Sequence, residues 1–222
     1  MNTSEIENNP SSRRGFLEKT LLSAGSLAAV GGIMAVGASN ADAQNAPTDL
    51  EILNYALTLE HLEATFYRQG LDQFGDGDFI GGNYTNNFTL DPSQGLALGV
   101  HDFFRAIRDH ERTHVDTLVQ VIRSLGGTPV GPRRYNFGYS NVDQFIAVAQ
   151  ALENTGVMAY DGAIALIRAD ALKTAAATIA TVEARHASFL NLLNGSSPFP
   201  APFDTPKSMA QILAIAGQFI VG

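Results

Sequence analysis

A short pattern occurs twice in this 222-residue chain, as Glu111-Arg-Thr-His114 and Glu183-Ala-Arg-His186. A carboxylate and an imidazole three residues apart project from the same face of a helix. A second pattern precedes each copy. Leu59-Glu60 is followed by Tyr67 and Leu152-Glu153 by Tyr160, so a tyrosine stands seven residues after each glutamate. In order the chain reads Glu, Glu-x-x-His, Glu, Glu-x-x-His. This is the plan of two similar halves of an all-α helical bundle, offering four carboxylates and two imidazoles to a shared two-metal site.

Chance does not explain the pattern. With nine glutamates and five histidines in the chain, random placement gives on the order of 0.2 Glu-x-x-His matches. Both copies lie inside apolar helical stripes. Four carboxylates buried together cannot all ionise, because like charges at short range raise one another's pKa. Two divalent cations would cancel them. The alternative is a set of polar core groups satisfied without metal.

Helical periodicity divides the chain into five segments. The first is 49–70, capped by Thr48 or Asp49 and closed at Gly70, with Glu60 in its apolar stripe and Glu63 at the stripe's edge. A long Gly/Asp/Asn-rich loop, 71–96, follows, with Phe74, Phe79, Tyr84 and Phe88 along it. The second helix runs from about Leu96 to Leu125 and stops at Gly126-Gly127. The connection 126–141 can span about 50 Å at roughly 3.3 Å per residue, enough to run back along a long helix. The third helix starts at the cap Asn141 and runs to about Ala169; the fourth runs from about Ala171 to Leu193. Beyond a proline-rich stretch, Ser208–Phe219 reads as a short apolar fifth helix that packs on the bundle.

Tyr67 and Tyr160 are placed to donate hydrogen bonds to ligating carboxylates, as metal sites commonly require; incidental core filling is the alternative. His110 projects away from Glu111, which suits a supporting or surface role. His61 and His101 also point off the site's direction.

The amino terminus reads as an address. Ser12-Arg13-Arg14-Gly15-Phe16-Leu17-Glu18-Lys19 resembles a twin-arginine export signal, followed by a weakly apolar stretch and an Ala41-Asp42-Ala43 cleavage site. Residues 1–43 are therefore expected to be a removable signal. The protein would work in the periplasm or outside the cell, with no stable membrane anchor after cleavage. Residues 44–222 form one domain, with a bundle core at 49–193 and an extension at 194–222. The formal charge is −8. Glu5, Glu7, Glu18 and Asp42 against Arg13, Arg14 and Lys19 make the signal −1, so the remainder is −7. An acidic domain without a basic cluster disfavours nucleic acid as a partner. Cysteine is absent, which excludes disulfides, thiolate catalysis and cysteine-bound zinc.

The residues Leu53-Asn-Tyr-Ala-Leu-Thr-Leu-Glu-His-Leu-Glu-Ala-Thr-Phe-Tyr67, Leu125-Gly-Gly-Thr-Pro-Val130 and Pro202-Phe-Asp-Thr-Pro206 resemble the ferritin-like domain family, including its desiccation-related members. The resemblance implies a ferritin-like four-helix bundle with long inter-helix loops. It implies Glu60 and Glu153 as terminal ligands, Glu111 and Glu183 as bridging ones, and His114 and His186 binding one metal each. Glu63 could replace or assist Glu60. Oxygen and imidazole donors suit two divalent ions, Fe or Mn, and also Zn. The expected chemistry is redox reaction with O2 or H2O2, ferroxidase- or catalase-like, in a stress-protective role. The alternatives are a protective bundle whose metal pair is only structural, and a metal-free bundle that binds a partner. A homodimer is the assembly considered.

Overall fold

The computed structural model describes residues 46–79 and 99–221. The signal-like segment 1–43 and the loop's Tyr84 and Phe88 lie outside the described residues. The described chain is helical: α1 (Asp49–Gln73), α2 (Val100–Ser124), α3 (Val142–Ile164), α4 (Asp170–Leu193) and α5 (Met209–Gly217), with a 3-10 turn at Asp76–Phe79. No described helix is long and apolar enough to cross a membrane.

The caps show why these residues start helices. Thr48 accepts a hydrogen bond from the Glu51 amide while the Glu51 carboxylate accepts from the Thr48 amide, a reciprocal capping box. Asn141 caps α3 through the Gln144 amide, and Ser208 with Gln211 repeats the capping box on α5. With Thr48 as cap, Asp49 is free for another task. Its carboxylate accepts from the amides of Arg168 and Ala169 at 2.8 and 3.1 Å, closing the turn between α3 and α4. That turn begins after Ile164 rather than at Ala169.

Gly70 does not end α1; the helix runs on to Gln73. A Cβ at position 70 would overlap the Phe145 ring, so this glycine serves close packing rather than termination. Phe145 lies at the centre of an aromatic cluster with Phe66, Phe74, Phe79, Phe104 and Tyr139. Phe74 and Phe79, read as loop residues, are buried in it. At the other end of α2, Gly126 adopts a positive φ of 78° and Gly127 donates to the Ile122 carbonyl, a glycine stop of the expected kind.

The helices form two hairpins, α1/α2 and α3/α4, whose members share most of the inter-helix packing. Phe145 near the start of α3 meets the end of α1, and Asp49 at the start of α1 meets the end of α3. These two helices therefore run antiparallel. Since α2 also opposes α1, the link from α2 to α3 must travel back along the bundle, as its length allows. The travelled path is visible in its contacts. Asn54 holds Thr128 and Val130, His61 meets the Val130 carbonyl at 3.1 Å, and Phe137 packs edge-on against Phe66. His61 thus anchors the crossover. Farther along, Asn136 and Arg134 pair with Phe219 and Val221 of the tail, an isolated antiparallel bridge. Helix α5 packs against α3 and α1.

Candidate metal centre

Each of the four long helices contributes to one buried polar cluster at the middle of the bundle. Glu60, Glu111, Glu153 and Glu183 are fully buried, and His114 and His186 nearly so. On α2 and α4, the three-residue spacing brings the glutamate and histidine of each pair to the same inward face.

The six side chains form two overlapping groups that could each hold a metal ion: Glu60, Glu111, His114 and Glu183, and Glu111, Glu153, Glu183 and His186. His114 Nδ1 lies 3.3 Å from Glu60 Oε2, 3.3 Å from Glu111 Oε2 and 3.1 Å from Glu183 Oε1. His186 Nδ1 lies 3.1 Å from Glu111 Oε1, 3.2 Å from Glu153 Oε2 and 3.4 Å from Glu183 Oε2. Glu111 and Glu183 therefore turn one oxygen to each imidazole, while Glu60 and Glu153 each serve one side.

The donor chemistry fits cations better than protons. An imidazole Nδ1 carries one in-plane proton at most, yet each faces three carboxylates. His114 hydrogen-bonds Glu111, and His186 hydrogen-bonds Glu153. Glu60 Oε2, Glu111 Oε1 and both oxygens of Glu183 are left buried without a hydrogen-bond partner. Each of these oxygens has only an imidazole nitrogen already shared among three carboxylates to face it, a costly arrangement in a protein interior that a pair of cations would relieve.

Without such ions the cluster takes up protons. Burial pushes the Glu60 and Glu153 carboxyls well above the usual carboxylate range, and Glu183 and Glu111 add repulsion that the imidazoles only partly oppose. For His114 and His186, burial pushes the pKa down, but the surrounding carboxylates outweigh it and raise both, His186 to about 12. Burial would likewise raise Glu183, yet its contacts with both imidazoles hold it at about 2. Two imidazoliums cannot neutralise four carboxylates, so the remaining charge is met by protonating glutamates.

The tyrosines cross over. Tyr67 of α1 donates to Glu153 of α3 at 2.5 Å, and Tyr160 of α3 donates to Glu60 of α1. Both hydroxyls are fully buried, and burial with the adjacent carboxylates raises their pKa values well above 10. The seven-residue spacing places each tyrosine on the inward face but does not reveal that its partner belongs to the other helix. Only the antiparallel pairing of α1 and α3 does that.

His110 remains solvent-exposed, yet its Nδ1 lies 3.0 Å from His186 Nε2 and the two rings stack at 12°. Its one-residue offset from Glu111 hides this contact, which depends on how α2 faces α4. Glu63 is buried but joins neither four-residue group. His101 lies 3.8 Å from Asp76 and against Phe79, in the aromatic end of the bundle.

Comparison with known proteins agrees with this architecture. Residues 48–196 match the model of the ferritin-like domain. The chain belongs to that family. It is also similar to Protein rds1 of Schizosaccharomyces pombe, 24% identical over 174 residues, covering 78% of this chain and 40% of that protein. This chain thus spans less than half the length of that relative.

Proposed function

We propose that the protein is an exported ferritin-like metalloprotein that holds two divalent ions in this cluster and uses them for redox chemistry with O2 or H2O2. In this reading Glu60 with His114 and Glu153 with His186 are the terminal ligand pairs, and Glu111 and Glu183 bridge. The observation that carries it is the shared orientation of Glu111 and Glu183, one oxygen toward each imidazole. A bound Fe or Mn pair would supply electron transfer to or from oxygen or peroxide.

The chain's own residues do the rest. Four helices fix the carboxylates before any ion arrives, so little ordering entropy is lost on binding. Tyr67 and Tyr160 orient Glu153 and Glu60 and keep one oxygen of each occupied, leaving the other for a cation. The aromatic and aliphatic core around the cluster excludes bulk water, which strengthens every charge interaction inside it. A protective role in oxidative or drying stress suits removal of peroxide or ferrous iron outside the cytoplasm. Export by the twin-arginine route, which carries folded proteins, suits a centre filled beforehand.

Elemental analysis of the purified protein followed by a peroxide assay tests this reading. Two Fe or Mn per chain are expected, lost in Glu111→Ala, with peroxide or ferrous iron consumed faster than by free metal. Metal retained in Glu111→Ala would contradict the ligand assignment. A full complement of ions without turnover would favour a structural role for the pair. Absence of metal after purification without chelator would favour a metal-free bundle.

A further inference from the structure

The sequence carries no basic cluster, yet the fold builds one. Arg68 of α1, Arg108 and Arg112 of α2, and Arg133 and Arg134 of the crossover surround a single groove of about 950 Å³. Beyond position 43 the chain has eleven lysines and arginines, its fourteen less Arg13, Arg14 and Lys19. Nearly half of them stand at this one place. The domain as a whole is acidic, but no Asp or Glu lines the groove.

Local geometry explains the gathering. Thr65 and Arg68 share one face of α1, and Arg108, Arg112 and Val115 share one face of α2, by their spacings of three and four residues. None of the six side chains of the metal cluster reaches this face. The other wall is the crossover, and it is pinned. Tyr135 bridges to Ile220, the Arg134 carbonyl accepts from the Val221 amide at 3.0 Å, and the Tyr135 hydroxyl accepts from the Arg133 amide at 3.3 Å. The arginines therefore stand on fixed backbone, which limits the ordering cost of binding.

Their charge is only partly met. Asp72 and Asp109 pair with Arg68 and Arg108 at 3.5 and 3.0 Å. Arg112 and Arg133 have no carboxylate partner among the described residues. Like charges held this close repel, and an anion between them relieves the repulsion.

The residue type narrows the ligand. All five are arginine, whose planar fork binds oxyanions through paired hydrogen bonds. A carboxylate offers two oxygens and one charge. A phosphate ester offers three strong acceptor oxygens and up to two charges, so one group can serve several forks. Cations on both walls suit a molecule with two such groups, and the volume falls within the roughly 300–1,000 Å³ of small-molecule sites.

We propose that this groove binds a small molecule carrying two phosphate groups. Arg68, Arg108 and Arg112 engage one group from the helices, and Arg133 and Arg134 engage the other from the crossover. The site does not depend on what the buried cluster holds.

The test is calorimetric titration of the full chain with fructose 1,6-bisphosphate at about 0.15 M NaCl. One molecule is expected per chain, bound about tenfold or more tightly than fructose 6-phosphate or citrate. Arg112→Gln and Arg133→Gln should each weaken it about tenfold, the loss of one hydrogen bond to a charged group. Both arginines are exposed, so both variants should fold as the wild type does. Arg123→Gln, at the end of α2 and outside the groove, should bind normally. Equal binding of fructose 6-phosphate would overturn the two-group site, and equal binding of citrate the preference for phosphate. Unchanged affinity in both groove variants would overturn the location. Absence of bisphosphate binding, or binding of a DNA oligonucleotide in its place, would overturn the small-molecule site altogether.

Discussion

The α1/α2 hairpin and the α3/α4 hairpin supply the same three kinds of side chain to the buried cluster, yet they are not equivalent. Glu60, Glu111 and His114 of the first half are matched by Glu153, Glu183 and His186 of the second, and each half lends a tyrosine to the other. Two positions break the correspondence. Glu63 faces Gly156, its counterpart when Glu60 is aligned with Glu153, and His110, whose counterpart by the Glu-x-x-His alignment is Val182, backs only the imidazole of the second half. The shared features build a centre from four helices, and the departures distinguish one side of it from the other. A repeat thus gives a protein a near-symmetric cage at little cost in sequence, and single substitutions then differentiate its two positions.

The largest expected effect is common to both halves. Each half carries a glutamate and a histidine whose folded pKa is raised above the ordinary 4.5 and 6.5, and buried Glu63 adds a second such glutamate to the first half. Groups of this kind stabilise the fold below their unfolded pKa and lose that contribution as pH rises toward the folded value. The metal-free protein should therefore lose stability from about pH 5 to pH 8, by roughly 1.4 kcal/mol per pH unit for each extra proton the folded state holds. Glu183 opposes this only in strong acid, because its lowered pKa confines its loss to pH values falling toward 2. Cations compete with the same protons, so metal loading should invert the slope. Urea titrations across this range, with and without Mn2+, measure it; equal slopes would contradict metal binding at these groups.

Next comes the contrast between shared and unshared carboxylates. Glu183→Ala removes an oxygen from both positions and should lower affinity for both ions by more than about 100-fold, beyond what loss of an outer partner costs. Glu153→Ala should weaken one ion and spare the other. Calorimetric titration separates the two; similar losses in both variants would dissolve the distinction between bridging and terminal groups. His110→Phe keeps the stacked ring but removes the hydrogen bond to His186 Nε2. It should weaken only the second-half ion, by roughly 10-fold, and an equal effect on both ions would break the asymmetry. Smallest are Tyr67→Phe and Tyr160→Phe. Each removes a buried hydrogen bond to a carboxyl group and should cost about 1–3 kcal/mol of stability in denaturant titration. Because the two tyrosines are exchanged between halves, their effects should match.

Much of this centre is legible in the sequence, because the Glu-x-x-His spacing and apolar stripes are local properties of a single helix. Glu60, Glu111, His114, Glu153, Glu183 and His186 all carry that local signal, and the structure gathers them into one cluster. What sequence hides depends on which helix faces which. Gly70 has the form of a helix stop but serves Phe145, 75 positions away in the chain. The tyrosine exchange, the His110 contact and the opposition of Glu63 to Gly156 all arise between helices. The caps lie between these cases: Thr48 and Asp49 look equally able to cap α1, and only the distant amides of Arg168 and Ala169 claim Asp49 for the turn after α3.

The most direct measurement of the central claim is anomalous X-ray scattering from crystals of the protein grown with Mn2+. Two strong peaks should lie inside the bundle, both flanked by Glu111 and Glu183, one beside His114 and the other beside His186. A centre with no peak, or with density at only one imidazole, would contradict a paired-cation site.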